Sequence, residues 1–261
     1  MQQLARVCQD AAKAGGEVLL KMRGKIEARE KGPADLVTEA DIASQNAIFD
    51  VISKHFPDHE LLGEESSDSQ SGPDYSKPSW IVDPLDGTTN YVHGLENYSV
   101  SVALREANQI ITGAIYDPVR GHCYHATHGS GAFLNDMPIR CSSVNKLSDS
   151  LVSASFSPRV PRNSPEIDRF LAVLDQCQAL RRLGSAALNL CYVASGKLDA
   201  YWATSLKQWD VAAGVLIVRE AGGCIAPIGQ QEFDLEKPRF VATSQPDLRD
   251  EMLHLFASIG D

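Results

Sequence analysis

Long apolar runs, basic clusters and paired cysteines are all missing from this 261-residue chain. Its first segment, MQQLARVCQDAAKAGGEVLLKM, carries charges throughout, so it reads as neither a signal peptide nor a membrane span. No basic run exceeds a pair such as Arg181-Arg182, and 24 Lys and Arg stand against 34 Asp and Glu, a net charge of -10. That balance argues against a nucleic-acid groove or an anionic membrane surface as partner. The six cysteines are scattered, with no C-x-x-C pair, which reads as reduced thiols in a cytoplasmic protein. What remains is ordinary globular composition, 43% hydrophobic and 22% charged, with length for one large domain or two modest ones.

Apolar residues from Leu4 to Met22 recur at helical spacing and predict an amphipathic helix over 3–23. A second helix is expected from Thr38, as its cap, to about Lys54. A polar loop is expected over 65–78, then a short strand at Trp80–Val82. Residues 98–134 read as a β-meander with a tight turn at 107–109. Helices follow near 166–176, 186–194 and 210–221, the last stopped by Gly222-Gly223. Alternating strands and helices predict layered α/β sheets, with a boundary near 141–150. The expected division is an N-terminal domain over 1–142 and a C-terminal one over 143–261.

Chemistry concentrates at Asp83-Pro84-Leu85-Asp86-Gly87-Thr88-Thr89. A strand that runs into two carboxylates and is then halted by Pro84 offers two hard oxygen ligands side by side. Gly87 permits close backbone approach, and Thr88 and Thr89 make a helix start whose amides can face an anion. Carboxylates without thiolate or imidazole favour Mg²⁺ or Mn²⁺ over zinc. Alone, such a turn is as readily a solvated loop. Glu64 and Glu65 end another apolar run, Asp41 opens the second helix, and Asp210 opens an apolar helix as either cap or ligand.

GEES (63–66), DPLDGTTNYVHG (83–94) and WDVAAGVLIVREAGG (209–223) together resemble the signatures of the inositol monophosphatase family of lithium-sensitive, magnesium-dependent phosphatases. DLVTEAD (35–41) and GSAALNLCYVASGKLDAY (184–201) match further segments in order, so the resemblance covers nearly the whole chain. It implies an α-β-α-β-α sandwich of the sugar phosphatase type and a homodimer. It also implies two to three Mg²⁺ per subunit. Glu64, Asp83 and the Leu85 carbonyl would hold one ion, and Asp83, Asp86 and Asp210 a second; a weaker third would sit on the Glu64 side. Water positioned by Glu64 and Thr88, with Asp41 behind Thr88, would attack phosphorus. The Gly87 and Thr88 amides would hold the phosphoryl oxygens, with Asp86, Gly184, Ser185 and Ala186 on the substrate side.

In inositol phosphatases of this family a glutamate commonly precedes the helix-opening aspartate by seven residues, where this chain has Ala203. Lys207, close to the motif, could meet a second anionic group. The expected activity is therefore hydrolysis of a small polyol or sugar phosphate, most simply an inositol phosphate. Fructose 1,6-bisphosphate, histidinol phosphate, 3′-phosphoadenosine phosphate and NADP are alternatives, and a non-catalytic regulatory protein on the same fold is a rival of another class. His122, His125 and His128 are not expected to converge on zinc, because the middle residue faces the other way along a strand. Gly129-Ser130-Gly131 reads as a turn, Lys31 stands near the motif region at most as a supporting residue, and the three tryptophans read as core or interface anchors.

Overall fold

The structure, a computed structural model, describes residues 1–24, 29–32, 35–66, 77–157 and 159–260, with only the backbone of 29–32, 35–37 and 66. The chain opens with α1 (Gln2–Met22), a ribbon of β1 (Arg29–Gly32) and β2 (Asp35–Val37), and α2 (Glu39–His55). Thr38 caps α2: its hydroxyl accepts from the Ala40 amide, and the Asp41 carboxylate reaches back to the Thr38 amide at 2.8 Å. Next come β3 (Glu60–Gly63), β4 (Ser79–Asp86) and the short α3 (Thr88–Val92). The meander β5 (Ser99–Glu106), β6 (Gln109–Asp117) and β7 (His122–Thr127) continues into β8 (Ala132–Leu134) and β9 (Met137–Ile139). β3 to β9 form one seven-stranded sheet in sequence order, antiparallel except for the parallel β3–β4 pair.

The second half contributes β10 (Leu151–Ser155), α4 (Pro165–Gln176), β11 (Ala179–Arg181), α5 (Ala186–Ala194), β12 (Ala200–Ala203), α6 (Gln208–Glu220), β13 (Cys224–Pro227), β14 (Phe240–Thr243) and α7 (Pro246–Ala257). Its sheet has the order β11-β10-β12-β14-β13. α1 and α2 pack on the outer face of the larger sheet, α5 and α6 lie between the sheets, and α4 and α7 cover the smaller one. These are the five layers α-β-α-β-α. Among the described residues no helix is long and apolar enough to cross a membrane.

The central helices are apolar nearly all round because both their faces are covered. Leu188, Leu190 and Cys191 of α5 and Val211, Ala212, Ala213 and Ile217 of α6 are fully buried, in one cluster with Ile81 and Ile115 of one sheet and Tyr201 and Phe240 of the other. α6 crosses β6 so closely that a Cβ on Gly113 would stand 2.8 Å from the Ala213 Cα, which fixes the spacing of that layer. Trp80 and Trp202 are core anchors at 0% exposure, and Trp209 packs against the central cluster.

β4 differs from the sequence expectation. Pro84 does not end the strand, which continues to Asp86 with a shift in register: Asp83 stands opposite Ser101 and Asp86 opposite Ser99. Three residues of β4 thus span two of β5, a bulge holding one extra residue. Pro84 lies within it, where a missing N–H removes no regular ladder bond. In an unbulged strand residues 83 and 86 would face opposite ways; the extra residue turns both carboxylates to one face.

Candidate functional site

Asp83 is 1% exposed at the mouth of this bulge, and its Oδ1 accepts the Leu85 amide at 3.0 Å. Gly63 is in register with Val82 in the parallel β3–β4 pair, so Glu64 and Asp83 leave neighbouring strands side by side. Asp210 arrives from the first turn of α6, where its Oδ2 accepts the Lys207 amide at 2.7 Å. It is therefore a helix cap as well as a buried neighbour of Asp83. Burial, then the charges of Glu64, Asp86 and Asp210, raise the Asp83 pKa well above the ordinary carboxylate range, against the Leu85 amide. Burial, helped by the Asp86 charge and opposed by the Lys207 amide, pushes Asp210 up to about 7.

Asp86 is gripped from the other half of the chain. Its Oδ1 accepts the Ala186 amide at 2.9 Å, and its Oδ2 accepts the Ala187 amide at 3.0 Å, the Ser99 hydroxyl at 3.3 Å and the Ser185 hydroxyl. Ser185 in turn caps α5 by accepting the Leu188 amide. Ser185 and Ala186 thus meet the site through Asp86. Oδ1 accepts a single donor, so one of its two lone pairs remains for a further partner. Burial still raises the Asp86 pKa against these four donors.

Gly87 has φ +95°, and a Cβ there would meet the Asn97 and Gly184 carbonyl oxygens at 3.1 Å each, so glycine is required. Thr88 follows as the first residue of α3. Its hydroxyl lies 3.1 Å from the Leu85 carbonyl and 3.4 Å from Asp41 Oδ1. Asp41 is 1% exposed, and burial pushes its carboxyl up to about 6 despite the Thr38 donors. Asn90 and Asn97, which the sequence analysis passed over, both donate to the Leu183 carbonyl, at 2.8 and 3.0 Å, and fasten the α3 turn to Gly184. Asn90 stands inside the quoted motif, so a signal was present; Ser99 and Asn97 lie outside it.

Ala203 is fully buried in β12 between Ser155 and Phe240 and presents no polar atom from its side chain. Lys207 is exposed at the head of α6, its backbone engaged with Asp210. The side chain of Lys31 and most of the 65–78 loop lie outside the described residues. The histidines are dispersed: His125 bonds the Asn135 carbonyl, and His128 lies beside Gln109 and Glu220. The Gly129 and Gly131 amides both donate to Glu220, so that turn is filled by the protein's own carboxylate.

The profile of the inositol monophosphatase family matches residues 1–261. The chain belongs to the inositol monophosphatase family. "Nus factor SuhB" of Pasteurella multocida is 38% identical to it over 258 residues, covering 97% of this chain and 96% of that protein. "Inositol monophosphatase 1" of Solanum lycopersicum is 38% identical, covering 96% and 93%. The solved structure of the inositol monophosphatase from Anabaena sp. superposes with a TM-score of 0.87 at 32% identity, covering 98% of this chain and 96% of that one. Family membership makes a phosphatase the coarse assignment, on the five-layer fold described above.

Among the described residues no three of the site's acids are drawn in around one cation-sized point. The donor set nevertheless fits a hard divalent cation. It is all oxygen, Asp83, Asp86 and Asp210 form no ion pair with Lys or Arg among the described residues, and burial opposes their joint ionisation. A stability prediction follows for the metal-free chain. Asp41 and Asp210 have folded pKa values, about 6 and about 7, above the ordinary 3.8, so between those limits the folded state holds extra protons. Their contribution is present below pH 3.8 and lost as pH rises through 6 and 7. In EDTA the melting temperature of Asp210→Asn should fall less between pH 5 and pH 8 than that of the unaltered chain. Equal falls would remove Asp210 from the buried cluster.

Proposed function

We propose that the chain is a magnesium-dependent phosphomonoesterase that hydrolyses a small polyol or sugar phosphate, of inositol-phosphate type. The observation that carries this reading is the bulge in β4. It sets Asp83 and Asp86 on one face, beside Glu64 and Asp210, and leads straight into the left-handed Gly87 and the start of α3. Glu64, Asp83 and the Leu85 carbonyl would hold one Mg²⁺, and Asp83, Asp86 and Asp210 another. Bound there, the ions supply Lewis acidity, an activated water and compensation of phosphoryl charge. They also reconcile an acidic protein with an anionic substrate.

The chain's own groups do the rest. Thr88, with Glu64, orients the attacking water; its hydroxyl is held between the Leu85 carbonyl and Asp41, which fixes its rotamer. The Gly87 and Thr88 amides receive the phosphoryl oxygens at the turn that Asn90 and Asn97 hold against Leu183. Asp86, clasped to α5, keeps the substrate side at a fixed distance from the phosphoryl side. Ala203 removes a carboxylate contact to the polyol, which leaves the turn at Gly184-Ser185 and the exposed Lys207 to read the rest of the ester.

The test is phosphate release with Mg²⁺, with EDTA and with lithium from inositol 1-phosphate, fructose 1,6-bisphosphate, histidinol phosphate, 3′-phosphoadenosine phosphate and NADP. Metal-dependent release, highest on inositol 1-phosphate, is the expected outcome. Preference for a doubly anionic ester would transfer specificity to Lys207. The relatives named Nus factor SuhB favour a second reading, action through a macromolecular partner on the same fold. No metal-dependent release from any ester would leave that reading standing in place of the first.

A further inference from the structure

Away from these carboxylates, a cavity of about 620 Å³ opens between the C-terminal half of α6, the β5–β6 turn and the 228–239 loop. That volume lies within the range of small-molecule sites, roughly 300–1,000 Å³. Its floor is apolar: Ile110, Val215, Leu216, Phe233 and Leu235 line it. Charged groups ring the floor, and most are already engaged. Arg105, 8% exposed, bonds the Ala107 carbonyl, the Asn108 side chain and Glu236. Asp234 accepts the Glu236 amide, and Glu220 accepts the Gly129 and Gly131 amides.

Two charges of the ring are different. The Arg219 side chain has no hydrogen bond or ion pair among the described residues; its guanidinium lies over the Phe233 ring, 5.7 Å from the centroid. Glu232 likewise has no hydrogen bond or ion pair among the described residues. One uncommitted cation and one uncommitted anion thus flank an apolar floor. An anion lacking a positive group would meet Glu220, Glu232, Asp234 and Glu236 unaided, and a cation lacking a negative group would leave Arg219 unmatched. A ligand bearing both charges answers both.

We propose that this cavity is a second ligand site, for a small zwitterion whose apolar body has the size of one or two amino-acid residues. The carboxylate of the ligand pairs with Arg219, a planar fork suited to it, and its ammonium with Glu232. The body covers the floor and removes Phe233, Leu235 and Ile110 from water. The site is independent of the phosphatase reading, since none of its residues belongs to the carboxylate cluster.

Calorimetric titration of the full chain with L-leucyl-L-leucine and with L-phenylalanine tests this. Saturable binding of at least one is expected. N-acetylation of that ligand, conversion of its carboxylate to the amide, Arg219→Gln and Glu232→Gln should each weaken it roughly tenfold or more, the scale of one charge-assisted contact. The acetylated ligand should lose little further on Glu232→Gln, and the amide little further on Arg219→Gln, because each pair removes the same contact. Both altered side chains are exposed, and an unchanged melting transition in each variant confirms that the fold is kept. No saturable binding of either ligand, or binding indifferent to both variants, overturns the site. Weakening by only one variant overturns the zwitterion assignment.

Discussion

Asp83→Asn should lower phosphate release by at least about a thousandfold while leaving the metal-free protein as stable as before, or more so. The amide keeps the shape of the side chain, and its oxygen still accepts the Leu85 N–H that Asp83 holds at 3.0 Å. What disappears is a negative charge, 1% exposed, that burial and the neighbouring Glu64, Asp86 and Asp210 all disfavour. Removing a buried, repelled charge relieves the folded state, and removing it from a cation site weakens the ion. Calorimetry with Mg²⁺, melting in EDTA and turnover measure the three effects on one variant. Normal turnover would sink the metal assignment, and a large fall in metal-free melting temperature would show that the carboxylate is structural instead. Asp86→Asn is the less clean counterpart, because Asp86 also accepts from Ser99, Ser185, Ala186 and Ala187 and its loss loosens α5.

The second large effect is on stability. Trp202 is fully buried in β12, edge-on to Phe256 with centroids 5.7 Å apart, in the cluster that joins the smaller sheet to α4 and α7. Trp202→Ala should cost about 3–5 kcal/mol and lower the melting temperature on the order of 10 °C for a chain of this size. Trp202→Phe should cost much less, since it keeps most of the volume, and the indole N–H it removes has no partner. Denaturant melts of the two variants decide this. A loss within about 1 kcal/mol for the alanine variant would mean that the packing around β12 can collapse onto the hole.

Both predictions rest on parts of the fold that were unequally visible in the sequence. Helices with a clear apolar period or a cap were legible: α1 was expected over 3–23 and runs Gln2–Met22, and Thr38 caps α2. β11, β12, β13, β14 and α7 were not anticipated. The four strands have three or four residues each, too few to show alternation, and the chain pairs them only after folding back on itself. At the candidate site the residue types were legible and their aim was not. Nothing within DPLDG states that Asp83 and Asp86 share a face; the register with Ser101 and Ser99 decides it. The grip of Ser185 on Asp86 joins residues 99 apart, beyond the reach of any local pattern. Ala203 was visible as a departure, but its complete burial was not.

The carboxylates come from α2, the turn after β3, the bulge of β4 and the first turn of α6, and the helices that close over them are shared by both sheets. A nascent chain therefore passes through a stage at which Asp83 and Asp86 exist but Ser185 and Asp210 have yet to be synthesised. During that interval the first sheet has no inner helix layer, and Ile81, Ala103 and Ile115 face solvent in place of α5 and α6. Catalytic competence arrives late in translation and all at once, and an amino-terminal fragment inherits exposed apolar surface in place of partial activity.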